Sequence, residues 1–243
     1  MFPISDDNPR RQTPIVTWTI IGICVLVYLW QASLGAERGQ AAVLEFGMIP
    51  ARVFGTELSP EFTAAPAWLT VITSMFMHGG WMHLALNMLF LWIFGDNVED
   101  SMGHVRYLVF YVACGVAAAM AQALTNLDST IPMVGASGAI SGVLGAYVLL
   151  HPHATVRVLF VLGLFVTVAH VPAMIVLGIW FLTQIASAAF AQSDGPGVAF
   201  WAHVGGFVAG MALVPLFKKS GVKLFQPPHS RPFEIERGRQ PWG

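Results

Sequence analysis

Apolar residues in this chain run in long uncharged blocks, and the charges gather at the termini and in a few short segments between them. No Asp, Glu, Lys or Arg occurs between Glu61 and Asp96, or between Arg157 and Asp194. Each interval exceeds the roughly 20 residues that carry a helix across ~30 Å of hydrocarbon at ~1.5 Å rise per residue. The pattern predicts spans at about Ile15–Leu34, Trp81–Phe94, Tyr107–Thr125, Val134–Leu150, Pro172–Ala189 and Val198–Phe217. Between the first two, Gly35–Glu61 mixes charges with apolar residues and reads as interfacial. Trp68–Met77 lies in a similar position, and Gly79-Gly80 breaks it from the second span. The stretch from Val158 to Ala191 is too long for one helix, so Pro172 divides an interfacial or re-entrant piece from the fifth span. The expected organisation is a tail (1–14), one membrane domain (15–217, with an outer loop at 35–80) and a basic, proline-rich tail (218–243).

Composition agrees with this reading. Hydrophobic residues make up 56% of the 243, against twelve Lys/Arg and thirteen Asp/Glu, and a soluble domain could not hide that much apolar surface. The net charge of −1 leaves no basic patch able to replace phosphate counterions, which argues against a nucleic-acid partner. Cys24 and Cys114 fall inside predicted spans and read as small buried hydrophobes, not a disulfide. The first apolar run lacks a small-residue cleavage site and reads as a retained span. Arg10, Arg11, Arg106, Arg157 and the six Lys/Arg of the C-terminal tail lie on one face of the six-span topology; Arg38 and Arg52 lie on the other. The positive-inside rule then makes both termini cytoplasmic.

In this topology the second, fourth and sixth spans all enter from the outer face, and each carries unusual polar residues near its entrance. They are His83 and Asn87, then Ser137, then His203. His83 and Asn87 share a helix face at spacing four, as do His203, Gly206 and Gly210 at spacings of three and four. Gly138, Gly142 and Gly145 repeat the pattern in span four, and small residues at such intervals let membrane helices approach closely. Spans four and six should therefore be neighbours, bringing Ser137 toward His203. Singly, a membrane serine usually bonds a backbone carbonyl, as Ser141 should, and a lone histidine is usually a satisfied polar group. Their joint placement points to chemistry. An imidazole can take the proton that makes a serine hydroxyl a poor nucleophile. The Ser137 backbone N–H at a helix start, the Asn87 amide and the His83 ring are donors for the resulting oxyanion. Asp96, Glu99 and Asp100 belong to the opposite face, so a Ser–His dyad is expected, its imidazole oriented by packing or by an uncharged neighbour.

Three motifs in order, His78-Gly79-Gly80-Trp81-Met82-His83-Leu84-Ala85-Leu86-Asn87, Gly135-Ala136-Ser137-Gly138, and Ala202-His203-Val204-Gly205-Gly206 with Gly210, resemble the rhomboid intramembrane serine proteases. Glu99, Gly103 and Tyr107 echo a further family pattern, and the likeness covers about Trp68 to Phe217. Where some members carry Trp-Arg before the second span, Trp68 is followed here by Leu69. The resemblance implies an all-α six-helix membrane bundle that cleaves membrane-anchored proteins at or near their transmembrane segments. It makes Ser137 the nucleophile, His203 the general base and acid, and His83 and Asn87 oxyanion donors. His78 and Gly135 become auxiliary residues, and Trp180 and Phe181 candidates for a lateral gate through which a client helix enters. No cofactor or metal is expected; His78 and His83 are not at helical ligand spacing and no His-Glu-x-x-His occurs. A client-binding protein without catalysis would lack the serine or histidine, and a channel would need polar residues along its inner half too. The compact form looks bacterial, which places it in the plasma membrane.

Overall fold

The computed structural model describes residues 2–55, 65–162, 165–190 and 198–228. Glu57 and Glu61 of the outer loop, the turn at Gln192–Gly197 and the tail beyond Pro228 lie outside them. The first apolar block forms α1 (Ile15–Ser33), and the mixed segment after it folds into α2 (Gly35–Phe46) and α3 (Pro50–Phe54). A short helix, α4 (Ala67–Thr73), ends in a single tighter turn before α5 (Trp81–Met102), α6 (His104–Ala123) and α7 (Ser137–Leu150). Strands β2 (Thr155–Leu162) and β3 (Phe165–Pro172) lead into α8 (Ala173–Phe190), and α9 (Phe200–Phe217) follows. Strand β1 (Phe2–Asp6) precedes them all.

Among the described residues, four helices, α1, α6, α8 and α9, are long and apolar enough to cross a membrane. Their outward faces carry exposed side chains such as Leu26, Leu182 and Leu216, as helices do when lipid replaces a protein core. Helix α7 has 14 residues. Helix α5 continues two turns past Phe94, through residues expected to form a polar turn, until Gly103 at φ +82° ends it. Those extra turns carry Glu99, which is 1% exposed. Its carboxylate accepts the Val16 and Thr17 backbone N–H groups at 2.9 and 2.8 Å and the Thr17 hydroxyl at 2.7 Å. Pro14 leaves the start of α1 with no cap of its own, so a buried carboxylate from α5 satisfies the orphan donors and sits at the positive end of the helix. His104 Nδ1, 2.6 Å away, shares it, and the Tyr107 hydroxyl closes on Thr17 at 3.4 Å. The Glu99, Gly103 and Tyr107 pattern is thus a latch joining α1, α5 and α6.

A three-stranded antiparallel sheet in the order β1-β2-β3 extends this otherwise helical fold. It forms where the sequence reading placed a polar tail and an interfacial piece. Thr155 pairs with Pro172 and Leu162 with Phe165. Val156 and Val158 are fully buried while Arg157 between them is exposed, the alternation of a sheet with one face on a core. The start of the chain is tied down beside it. Asp7 accepts the Thr155 N–H at 2.7 Å, and the Asp6 carboxylate accepts the Tyr147 hydroxyl. The C-terminal segment returns to the same end, where Phe225 and Gln226 donate to the Leu149 and Leu150 carbonyls.

Helices α7 and α9 touch backbone to backbone. A Cβ on Gly206 would overlap the Gly138 carbonyl, one on Gly210 the Gly142 carbonyl, and one on Gly145 the Phe207 carbonyl. Helix α6 closes the third side: Cys114 covers Gly142 and Ala118 covers Gly138. Cys24 and Cys114 are both free and buried. Gly210→Ala should therefore cost about 1–3 kcal/mol by overpacking, read as a lowered thermal midpoint in detergent. Gly178→Ala, whose added Cβ would meet nothing within 4 Å, should leave the midpoint in place.

The sheet carries a pH dependence. Burial, reinforced by Asp96 and Asp7, outweighs the Tyr147 hydrogen bond and lifts the Asp6 carboxyl from 3.8 to about 7. Between these values the docked strand holds a proton that the free strand does not, so docking weakens as pH rises from 4 toward 7 and is strongest below 4. Hydrogen-exchange protection factors of the β1 amides should fall across that window, and Asp6→Asn should remove the dependence.

Candidate active site

The loop before α7 is fixed before the helix begins. Met48 and Met133 exchange backbone hydrogen bonds at 3.0 and 2.8 Å, and the Gly135 N–H donates to the Ser74 carbonyl at 2.9 Å. Gly135 takes φ +127°, a conformation in which a side chain is strained. Ser137 is the first residue of α7, so no carbonyl one turn earlier in the helix can accept its N–H. On the facing helix, His203 lies one turn into α9 and is 8% exposed. Its Nε2 is 2.8 Å from Ser137 Oγ, and its Nδ1 is 2.7 Å from Gln184 Oε1 on α8. The rings of Trp180 and Phe200 flank it at 5.9 and 6.4 Å between centroids.

The third polar group comes from α5. The Gly79 N–H donates to His83 Nδ1 at 3.3 Å, so the ring proton belongs on Nε2. That edge of the ring lies over Gly135, where an added Cβ would fall 2.7 Å from Cε1 and 2.8 Å from Nε2 of His83. His83, Ser137 and His203 line one cavity of about 520 Å3 whose other walls include Met133, Phe200 and Trp201. A donor N–H, a helix-start N–H, a hydroxyl and an imidazole nitrogen able to accept its proton thus come together at that cavity. This is the equipment for acyl transfer. The acidic residues of α5 sit at the far end of that helix.

The Rhomboid domain family matches residues 65–220, more than half of the chain and all three of these helices. The chain belongs to the rhomboid family of intramembrane proteases. Among curated rhomboids it is 31% identical over 133 residues to Rhomboid protease GluP of Bacillus subtilis, covering 55% of this chain and 24% of that protein. It is 29% identical over 164 residues to Rhomboid-like protein 11, chloroplastic, of Arabidopsis thaliana, covering 63% and 54%. To Rhomboid protease AarA of Providencia stuartii it is 28% identical over 149 residues, covering 55% and 50%. The chain therefore spans between about a quarter and a half of the length of these relatives.

Of the residues singled out in the sequence, Ser137, His203, His83 and Gly135 come together in this rhomboid. Asn87 is buried one turn below His83 and donates to the His83 carbonyl at 2.9 Å. His78 is fully buried, its ring 5.3 Å from that of His83 and its carbonyl accepting the Gln31 amide at 2.9 Å. Trp180 and Phe181 lie at the seam of α8 with α9; Phe181 stacks on Phe207 at 4.3 Å, and Trp180 reaches Phe90 of α5 at 6.5 Å. Ser141 donates to the Ser137 carbonyl at 2.6 Å, the backbone role expected of it.

Two residues escaped the sequence reading. Arg52 is 4% exposed and donates to the Glu45 carbonyl at 2.8 Å and to the Ala65 carbonyl, with the Glu45 carboxylate 3.7 Å away. It anchors the outer segment from a position well before Trp68; its charge in a mostly apolar stretch was the available signal. Gln184 is the other, an amide four residues after Trp180 and so on the same face of α8.

Gly135→Ala should force His83 off its seat and, if Ser137 reacts with a serine-directed fluorophosphonate, cut that labelling about 10²-fold, the scale on which acyl transfer depends on one hydrogen-bond donor. Gly22→Ala, with open space around the added Cβ, should label at the wild-type rate.

Proposed function

We propose that this rhomboid is an intramembrane serine endopeptidase that cleaves membrane-anchored proteins at or near their transmembrane segments. The observation that carries the reading is the 2.8 Å hydrogen bond between Ser137 Oγ and His203 Nε2 at the wall of the cavity. In the reaction, His203 Nε2 takes the Ser137 proton as Oγ attacks the scissile carbonyl, then passes it to the leaving amine. The oxyanion is met by the Ser137 backbone N–H, His83 Nε2–H and, after a small shift of its side chain, the second amide hydrogen of Asn87. Water then reverses the steps to release the acyl group. His78 supports the His83 ring from behind.

The client helix enters sideways between α5 and α8, where Trp180 and Phe90 meet, and unwinds to place an extended segment in the cavity. In this reading α1, α5, α6, α7, α8 and α9 all cross the bilayer. The end bearing the sheet faces the cytoplasm of a bacterial cell, and the Ser137 end faces outward, where water for deacylation is at hand. The short α7 suits that role, because a helix of 14 residues rises only about 21 Å and leaves its first residue below the membrane surface within reach of water.

With purified protein in detergent and a reporter transmembrane substrate, Ser137→Ala should abolish cleavage and His203→Ala should lower kcat at least about 10³-fold. Cleavage that survives Ser137→Ala would overturn the assignment.

A further inference from the structure

We infer that Gln184 is a positioning residue for the Ser137–His203 pair, holding the imidazole in the one tautomer that can act as base and making that state depend on where α8 sits. The inference rests on the protease reading above. The orientation of the Gln184 amide follows from its own neighbours. The Thr183 hydroxyl donates to the Trp180 carbonyl at 2.6 Å, so its oxygen is left to accept. Gln184 Nε2 lies 3.4 Å from that carbonyl and 3.3 Å from that hydroxyl. Both partners accept hydrogen, which puts the amide nitrogen on their side and turns Oε1 toward His203.

An amide oxygen only accepts, so at 2.7 Å His203 Nδ1 must carry its proton and donate it. Nε2 is then bare and accepts the Ser137 Oγ–H at 2.8 Å. Without an acceptor at Nδ1, a neutral imidazole is free to place its proton on Nε2, where it cannot receive another from serine. An uncharged acceptor fixes the tautomer without a charge in a site held within the membrane. Among the described residues, the groups facing the His203 ring are Ser137 from α7, His83 from α5, Gln184 and Trp180 from α8, and Phe200 from its own helix; none of these is a carboxylate or a cation of Lys or Arg.

The bond also ties α8, one wall of the proposed client entrance, to α9. Helix α8 rests on α9 through Phe181 on Phe207 and Trp180 on Phe207, while Ile179 and Leu182 face outward. A hydrogen bond weakens steeply beyond about 3.5 Å, so a shift of α8 by ~1 Å away from α9 releases His203 Nδ1. The base is ready when α8 lies against α9, and chemistry follows its return.

The test compares wild type, Gln184→Met and Gln184→Glu as full chains in liposomes, with kcat, KM and the pH profile of kcat/KM measured on a reporter substrate. Gln184→Met keeps length and removes the acceptor; kcat should fall about 10-fold or more, within the range that general-base catalysis spans, with KM within twofold and an unchanged thermal midpoint. Gln184→Glu keeps the acceptor and should restore kcat at high pH. Its introduced carboxylate favours imidazolium and should move the acidic limb of the profile upward by about one unit or more. Wild-type kcat in Gln184→Met, or an unmoved limb in Gln184→Glu, overturns the role of Gln184. Ser137→Ala run in parallel separates the two ideas, since persistent cleavage there defeats the protease reading whatever the Gln184 variants do.

Discussion

Everything at the candidate site depends on the contact between α7 and α9, where two helix backbones meet with no side chain between them. In lipid there is no water-driven force to press helices together, so association relies on van der Waals fit and on how near the backbones can come. Gly138, Gly142 and Gly145 on one helix meet Gly206, Phe207 and Gly210 on the other, and the contact continues over several turns. Ser137 and His203 stand at its open end, so their 2.8 Å separation is set by two rigid rods packed along their length. A site carried on such elements keeps its geometry better than one hung on loops. Helix α6 reinforces the arrangement with Cys114, Ala118 and Ala121 against the glycine faces, filling space that would otherwise let the pair slide.

The two ends of the bundle divide the work. At one end, His83, Ser137 and His203 line the cavity, and the loop before α7 is pinned by Met48 and Ser74. At the other, Glu99 caps α1 and holds His104, Arg10 lies 3.8 Å from Asp96, Lys219 donates to the Asp100 carbonyl at 2.8 Å, and the sheet ties down the start of the chain. The strands and the ion pairs of Asp96 and Glu99 lie at the sheet end, while the buried Arg52–Glu45 pair lies at the cavity end. Helix α8 stands between as the most peripheral wall near the site, joined to the sheet through β3 and to His203 through Gln184.

Membership of the rhomboid family rests on motifs that were legible along the chain, and their meaning is physical. Helical spacing put His203, Gly206 and Gly210 on one face and Gly138, Gly142 and Gly145 on another, and uncharged length marked the blocks that became α1, α6, α8 and α9. Those are local properties of one helix at a time, so the sequence reading could reach them. The sheet was out of reach because Thr155–Pro172 is a short-range apolar run whose β-branched residues suit an interfacial segment and a strand alike. Its partner β1 lies some 150 residues away in the chain.

Sequence alone determined the membrane character of this protein, the glycine faces, and the polar residues that stand out against an apolar background, because period and charge are written along the chain. Tertiary structure decided which polar atoms touch. No spacing relates Gln184 to His203, Glu99 to the start of α1, or Arg52 to Ala65, since each pair joins separate elements brought together by packing. The orientation of the His203 ring depends on such a pair. Sequence could name the imidazole, but only the packing of α8 against α9 set Gln184 Oε1 2.7 Å from its Nδ1.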